Sequence, residues 1–385
     1  MDITQQGPSV HLINDIITKA AEDPENEITI IAKKIDMVQS NTVLDTIDNV
    51  KIFRVQSDSK KQSFFKRYIN DFLYAKKCAK VYKNMELDSV FLQSCNTALF
   101  HIALLKRYLR AKVLFNVQDI FPENLKYINK MPFAGITYPI FSFLQKQAYK
   151  RADFVVTISE DMADVIKNKV KDKEKVSVIH NWGYSDEITE TKREDNPFYK
   201  ENIFDKEKFN VVYAGNIGLM QNVEIVVKAA KRMKLNDKIH FYIIGDGQKK
   251  SFIEQYVIEN GLDNVTLLPM QSEDKAPYIY SAADVNVIPL APEIIKTALP
   301  SKTPACLASG KALIACIEKD SELAKIMNQT EGCFVAGNTD ETELAEKIEE
   351  LSLSNNLFFG NRAKTLQIFS RKTNPELYVK ELMKR

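Results

Sequence analysis

The sequence predicts an α/β protein of two Rossmann-like domains, each a parallel sheet covered by helices. Short apolar runs of strand length alternate with longer helical stretches along nearly the whole chain. At 385 residues the chain exceeds one ordinary core, so two domains are expected. A polar, acidic stretch from Ser185 to Asp205, holding Pro197 and no clear period, separates the two alternating sets. The expected division is 1–205, 206–368 and a terminal helix, 369–385, returning to the first domain.

The first set opens with a polar segment, Met1 to Ser9, and a helix from Val10 to Ala21. A doubly wound domain normally opens with a buried strand feeding its first loop, and none is seen. Either the start is truncated or misassigned, or the sheet lacks that strand. Strands then read at Glu27–Ala32, Val50–Val55, Ser89–Gln93, Lys112–Val117, Asp153–Ile158 and Lys175–Ile179. Helices fit Phe64–Asn84, Thr97–Arg110 and Asp161–Asn168. In the second set, strands are expected near 209–214, 239–244, 264–268, 284–288, 312–316 and 333–335. Helices lie between them, and Thr339–Leu351 and Asn361–Arg385 end the chain as helices.

Composition narrows the class. The chain is 45% hydrophobic with a net charge of +2, which argues against a nucleic-acid binder. Its five cysteines (Cys78, Cys95, Cys306, Cys316, Cys333) lack paired spacing and sit among apolar neighbours, as reduced core thiols of a cytoplasmic protein do. The histidines (His11, His101, His180, His240) are far apart, and no metal quartet is visible. No signal peptide and no apolar run of about 18 residues is present, so nothing is expected to span a bilayer. The stretch Met131–Gln145 is nearly uncharged but short, with two prolines.

Three turns carry the chemistry. Residues 211–222 read as a buried strand and a tight loop holding Gly215-Asn216-Ile217-Gly218, followed by a helix from Val223 to Met233. Such a loop lets backbone N–H groups approach an anion, with helix N-terminal donors behind it. Two glycines can equally serve turn geometry alone. A second glycine turn, Gly245-Asp246-Gly247, follows one strand–helix unit later, and a third, Leu299-Pro300-Ser301-Lys302, precedes a helix running to Gly310. Turns at the carboxyl ends of successive βα units are where an open parallel sheet binds its ligand.

The second half resembles the C-terminal domain of family 4 glycosyltransferases, of the bacterial polysaccharide and O-antigen type. The resemblance rests on Tyr213-Ala-Gly-Asn-Ile-Gly-Leu-Met-Gln-Asn, Ile244-Gly-Asp-Gly, Leu268-Pro-Met, Tyr280-Ser-Ala-Ala-Asp-Val, Leu299-Pro-Ser-Lys and Ala308-Ser-Gly-Lys-Ala. Weaker matches, Gln118-Asp-Ile-Phe-Pro-Glu, Thr157-Ile-Ser-Glu-Asp-Met and Val178-Ile-His-Asn-Trp, run in order through the first half. The resemblance implies a GT-B architecture, its two domains facing across a cleft, with a nucleotide sugar bound mainly to the second. Gly215, Asn216 and Gly218 would line the donor diphosphate, Gly245, Asp246 and Gly247 the floor, and Met270 the base. Ser301 and Lys302 would meet the diphosphate, where a cation offsets charge on the leaving group. Gln221 stands where many relatives carry a second cation, leaving Lys302 as principal counter-charge. In isolation Lys302 also reads as a solvated lysine at a helix start.

Two departures stand out. Relatives carry acids eight residues apart where this chain has Thr297 and Ala305, and the second normally holds the ribose hydroxyls. Glu293 on the preceding loop stands in for the first acid. In the first domain, Gln118-Asp119 ends a strand where relatives often place a histidine near the reacting sugar. Asp119 and Glu123 are candidates to orient hydroxyls, or Asp119 caps the next turn and Pro122 fixes its exit. His180 reads as structural.

Residues 60–112 carry a net charge of +9. Within the helix, Phe64, Phe65, Tyr68, Phe72, Tyr74 and Tyr82 alternate with Lys66, Arg67, Lys76, Lys77, Lys80 and Lys83. That pattern suits docking on anionic lipid, with Phe133–Phe143 contributing, or an ordinary amphipathic helix packed on the sheet. The expectation is a transferase moving a sugar from a nucleotide diphosphate, UDP by family default, to a saccharide or lipid-pyrophosphate acceptor. The resemblance implies retention and no metal or other cofactor, at the inner face of the cell membrane. The alternatives are a catalytically weak partner subunit of another transferase and a nucleotide-sugar epimerase.

Overall fold

The computed structural model describes residues 10–34, 43–57, 64–354 and 359–384. Met1 to Ser9, Lys60 and Lys61, and the side chains of Phe64, Phe65 and Arg67 lie outside the described residues. The chain divides into two compact units, Met1–Asn181 with Arg371–Arg385, and Trp182–Ser370.

In the first unit, α1 (Val10–Ala21) leads to β1 (Ile28–Lys34) and β2 (Val50–Gln56), which pair in parallel from Ile28↔Val50 to Lys34↔Gln56. Then follow α2 (Phe64–Tyr82), β3 (Ser89–Gln93), α3 (Ala98–Tyr108), β4 (Lys112–Val117), α4 (Glu123–Tyr127), α5 (Ala134–Arg151), β5 (Phe154–Thr157), α6 (Glu160–Lys167) and β6 (Val176–Val178). Strands β3-β4-β5-β6 form a parallel sheet in that order. The first half therefore holds two hydrogen-bonded sheets where a single one was expected. Among the described residues no strand bridges β1 to β3. Strand β4 is buried at every position but its first, which is why its apolar run is continuous in sequence.

The second unit runs α7 (Pro197–Lys200), β7 (Phe209–Ala214), α8 (Glu224–Arg232), β8 (Ile239–Ile244), α9 (Lys250–Asn260), β9 (Val265–Leu268), α10 (Ala276–Ala282), β10 (Val285–Pro289), α11 (Thr303–Ala308), β11 (Ala312–Cys316), α12 (Glu322–Asn328), β12 (Cys333–Ala336), α13 (Glu341–Ser352) and α14 (Ala363–Ile368). Its parallel sheet has the order β12-β11-β10-β7-β8-β9. The order reverses between β7 and β10, so loops leaving those two strands flank the switch point. Every residue of β10 and β11 is buried.

The polar stretch after Trp182 belongs to this second unit, and the division falls earlier than composition suggested. Its polar residues are anchored: Asn196 Nδ2 donates to the Tyr278 carbonyl at 2.8 Å, the Tyr199 hydroxyl to the Ala282 carbonyl at 2.6 Å, and Arg193 pairs with Asp284. The single terminal helix expected over 361–385 is two, because the chain turns at 369–373 and Pro375 sits in the first turn of a new helix, α15 (Asn374–Met383). That helix packs on α1, β3 and β4 of the first unit. Arg371 adds a bidentate pair to Asp15 of α1 at 2.8 and 2.9 Å.

Candidate functional site

In the second unit, the loop after β7 and the loop after β8 lock together through their backbones. Ile217 N–H donates to the Asp246 carbonyl at 2.7 Å, and Lys249 N–H returns to the Ile217 carbonyl at 2.9 Å. The approach is so close that a Cβ on Gly245 would lie 1.9 Å from the Gly215 carbonyl oxygen. No side chain fits there. The Asn216 amide donates to Gln221 Oε1 at 3.3 Å, and Asp246 accepts from Gly247 N–H at 2.7 Å. Gly215, Asn216, Gly218, Gln221, Gly245, Asp246 and Gly247 are thus one assembly. The helix behind it lies where expected: α8 runs Glu224–Arg232 with Val223 and Met233 as its caps, and Glu224, paired with Lys249 at 2.7 Å, sits in its first turn.

Lys302 reaches this assembly from the turn before α11. Its Nζ lies 3.9 Å from the centre of the Tyr213 ring, and a Cβ on Gly215 would come within 2.6 Å of it. Gly215 has φ +144°, a second reason for glycine. The ammonium is buried without a hydrogen-bond acceptor among the described residues. Burial lowers its pKa from 10.5 to about 8. The surface reading of this lysine is therefore excluded. Tyr213, which the motif analysis passed over, holds both parts: its ring faces the ammonium and its hydroxyl donates to the Asn216 carbonyl at 2.5 Å. The signal was available, since residues two apart on a strand share a face and Tyr213 precedes Gly215 by two.

The remaining candidates of this unit differ in disposition. The loop after β10 joins the assembly through Ala291 N–H to the Met220 carbonyl at 2.8 Å. Glu293, at φ +68°, turns its carboxylate to Lys296 at 2.8 Å, while its backbone N–H is held by Glu318 at 2.6 Å. Thr297 is fully buried and its hydroxyl donates to the Ile294 carbonyl at 3.0 Å, which makes it a structural cap. Ser301 and Met270 are exposed. Met270 follows β9, whose Leu268 carbonyl accepts from Gly245 N–H at 3.0 Å.

In the first unit, Gln118, Asp119 and Glu123 gather at the end of β4. Gln118 is committed to a polar chain: it donates to Asn116 at 3.2 Å and accepts from Asn181 at 2.6 Å, while Asn116 accepts from the Tyr378 hydroxyl at 3.0 Å. Glu123 is buried and its Oε1 meets Lys169 and, at 3.4 Å, the Tyr138 hydroxyl. Asp119 keeps solvent access, yet the protein crowding it raises its carboxyl above the ordinary range. No group of three or more metal-ligating His, Cys, Asp or Glu side chains occurs among the described residues. The five cysteines are free, four of them buried.

Residues 17–182 match Glycosyltransferase Family 4, and residues 208–354 match Glycosyl transferases group 1. The chain is 29% identical over 265 residues to the Pseudomonas aeruginosa protein named "Probable glycosyltransferase WbjE", covering 68% of this chain and 66% of that one. It is 26% identical over 200 residues to Escherichia coli K12 WcaI, named for colanic acid biosynthesis, covering 52% of this chain and 49% of that protein. Among solved structures, Anabaena Alr3699/HepE in complex with UDP and glucose superposes with a TM-score of 0.71 at 15% identity, over 100% of this chain and 98% of that one. WaaG, a glycosyltransferase involved in lipopolysaccharide biosynthesis, superposes with a TM-score of 0.68 at 11% identity, over 99% and 97%.

Proposed function

The chain belongs to the family 4 glycosyltransferases and has their GT-B fold, and on that premise we propose that it moves a sugar from a UDP-sugar to a saccharide acceptor in bacterial polysaccharide biosynthesis. The observation that carries this reading is the buried, acceptor-free ammonium of Lys302 beside two interlocked glycine loops at the sheet's switch point. A buried cation without an acceptor is costly, and a diphosphate supplies one. On this reading Lys302 and the loop amides carry the charge of the departing diphosphate in the place a metal would take, and transfer retains the anomeric configuration, as the resemblance to the family implies. The sugar is a hexose or N-acetylhexosamine, and the acceptor rides on a lipid pyrophosphate at the inner face of the cell membrane. The relatives' names supply the polysaccharide context.

A thermal-shift panel of UDP, GDP, ADP and their sugar conjugates tests the reading, followed by a sugar-release assay on each stabiliser. UDP and one UDP-sugar should raise the melting temperature by mass action, with slow sugar release. No shift with any nucleotide in a well-folded sample would defeat the proposal. A second reading, a catalytically weak partner subunit, is favoured by Ala305 and by the buried Thr297, neither of which offers ribose an acid. Its signature is nucleotide stabilisation without release, together with co-purification of another transferase.

The lysine also sets a pH dependence. A bound diphosphate favours the charged form, so binding takes up a proton wherever Lys302 is neutral beforehand. Nucleotide affinity should be flat below about pH 8 and fall roughly tenfold per pH unit above it. Calorimetric titration with UDP on either side of that value reads the slope, and a flat profile would remove Lys302 from the contact.

A further inference from the structure

Residues 183–190 run as a strap across α11 and α10 of the second unit. The strap begins flat on α11, where a Cβ on Gly183 would come 2.9 Å from Pro304 Cβ and 3.5 Å from the Ala305 nitrogen. Further on, Thr189 N–H donates to the Ala308 carbonyl at 2.7 Å, and its carbonyl accepts from the Ser281 hydroxyl of α10 at 3.2 Å. Glu190 ends the strap in an ion pair with Lys311 at 2.7 Å. These contacts fix the backbone from which Tyr184 projects.

Tyr184 is 42% exposed, and its hydroxyl donates to Glu273 Oε2 at 3.4 Å. Glu273 opens a single helical turn between β9 and α10, closed by Lys275 N–H to the Ser272 carbonyl at 3.0 Å. Helix α10 follows at once with Pro277 in its first turn, so this carboxylate also stands on fixed backbone. No lysine or arginine among the described residues pairs with it. One phenol leaves most of an ionised carboxylate's accepting capacity open.

The Tyr184–Glu273 pair lies between two surfaces that a nucleotide must bridge. Lys302 caps α11, and Ala305 lies three residues on, along the same side of the helix. Ala305 is only partly buried, and the Gly183 contact sets Tyr184 beside it. Helix α10 packs on both α11 and β7, the strand of Tyr213. From the other side, Glu273 shares a loop with Met270, two residues past the Leu268 carbonyl that holds Gly245. The Met270 thioether is half exposed and offers an apolar, polarisable surface to a base. Ribose is what joins base to diphosphate. Its 2′- and 3′-hydroxyls are adjacent donors, which one carboxylate accepts together.

We propose that Glu273, positioned by Tyr184, binds the ribose 2′- and 3′-hydroxyls of the donor nucleotide and makes the site selective for ribonucleotides. The inference rests on the transfer reading above and supplies the acceptor that Ala305 and the internally bonded Thr297 do not offer.

Calorimetric titration of the full chain with UDP, 2′-deoxy-UDP and 3′-deoxy-UDP tests it. The wild type should prefer UDP to either deoxy form about tenfold, because each missing hydroxyl leaves the carboxylate short of a donor. Glu273→Ala should bind UDP about tenfold to a hundredfold more weakly and bind the three nucleotides alike. Glu273→Gln, still an acceptor but uncharged, should keep part of the preference, and Tyr184→Phe should reduce it. Asp274→Asn, one residue on, should bind as the wild type does. Tyr184, Glu273 and Asp274 are exposed, so melting temperatures without ligand should not change. UDP binding by Glu273→Ala as tight as the wild type's, or tighter through relief of repulsion from the diphosphate, would overturn the proposal. A loss shared equally by UDP and its deoxy forms would also overturn it, by moving Glu273 off the ribose. A wild type that binds no nucleotide defeats the transfer reading and this inference with it, whereas UDP binding indifferent to Glu273 overturns this inference alone.

Discussion

Lys302→Met is expected to raise the melting temperature of the ligand-free protein while reducing sugar transfer about a thousandfold or more. The two effects have one cause. In the free protein the ammonium is buried over the Tyr213 ring with no hydrogen-bond acceptor among the described residues, and its pKa stands at about 8 against 10.5 in the unfolded chain. The unfolded state then holds the proton more tightly. Charged Lys302 therefore opposes folding below about pH 8, and the penalty fades as pH rises toward 10.5. A shift of this size corresponds to about 3 kcal/mol. Methionine keeps most of the aliphatic volume and forfeits a cation–π contact of roughly 1 kcal/mol, so a net gain of about 1–2 kcal/mol is expected. Urea unfolding near neutral pH and again in alkali checks both parts. The variant should gain at neutral pH and lose its advantage in alkali. A variant that transfers sugar normally would put the diphosphate elsewhere, and one that melts lower would mean the ammonium is well served in the free protein. Stability given up for function in this way is common at binding sites.

Much of the fold could be read from period alone. β3 and β4 fall on their expected residues, Ser89–Gln93 and Lys112–Val117: β4, flanked by β3 and β5, is a nearly uninterrupted apolar run, and the edge strand β3 is a short apolar run between polar segments. The stretch 185–205 misled for an equally physical reason. Many of its side chains are solvated, but a few are polar because they anchor the stretch to the second unit, as buried Asn196 does at the Tyr278 carbonyl, and composition cannot tell the two apart. Within the site, the residue types were legible and their arrangement was not. Glycine at 215, 245 and 247 announces close backbone approach. That the partner of Gly245 is the backbone of Gly215 is a contact across thirty residues, beyond any local pattern. The same limit hid the Lys302 ammonium over the Tyr213 ring, although strand period alone sets Tyr213 on the face of Gly215. It also hid the inward turn of Tyr74 and Tyr82 on α2, both buried, since a basic amphipathic helix has one sequence signature whether its apolar stripe meets a sheet or a lipid.

The residue with no sequence signal at all is Arg362, and Arg362→Met is expected to destabilise the protein by about 3–5 kcal/mol. Its side chain is 1% exposed, yet it forms no ion pair among the described residues. The guanidinium donates to three backbone carbonyls instead: Nε to Glu331 at 2.9 Å, Nη1 to Leu307 at 3.2 Å and Nη2 to Lys311 at 2.8 Å. Those carbonyls belong to the turn before β12 and to the α11–β11 turn, so one planar fork ties these two segments to the start of α14. Burial lowers its pKa, but a guanidinium does not give up its proton inside a protein, so every bond is charge-assisted. Methionine would remove all three donors; Leu307 would keep the Gly310 N–H at 3.2 Å, but the Glu331 and Lys311 carbonyls would lose a charged donor inside the protein, which is why the cost exceeds that of a lost surface pair. Lysine keeps the charge but cannot present a fork, so Arg362→Lys should recover less than half of the loss. Because α11 begins at Thr303, directly after Lys302, loosening its far end should also weaken the nucleotide-induced rise in melting temperature. Urea unfolding of both variants with and without UDP separates the effects. Loss of global stability with an unchanged nucleotide response would confine Arg362 to scaffolding, whereas a reduced response shows that the position of the buried ammonium depends on this fork.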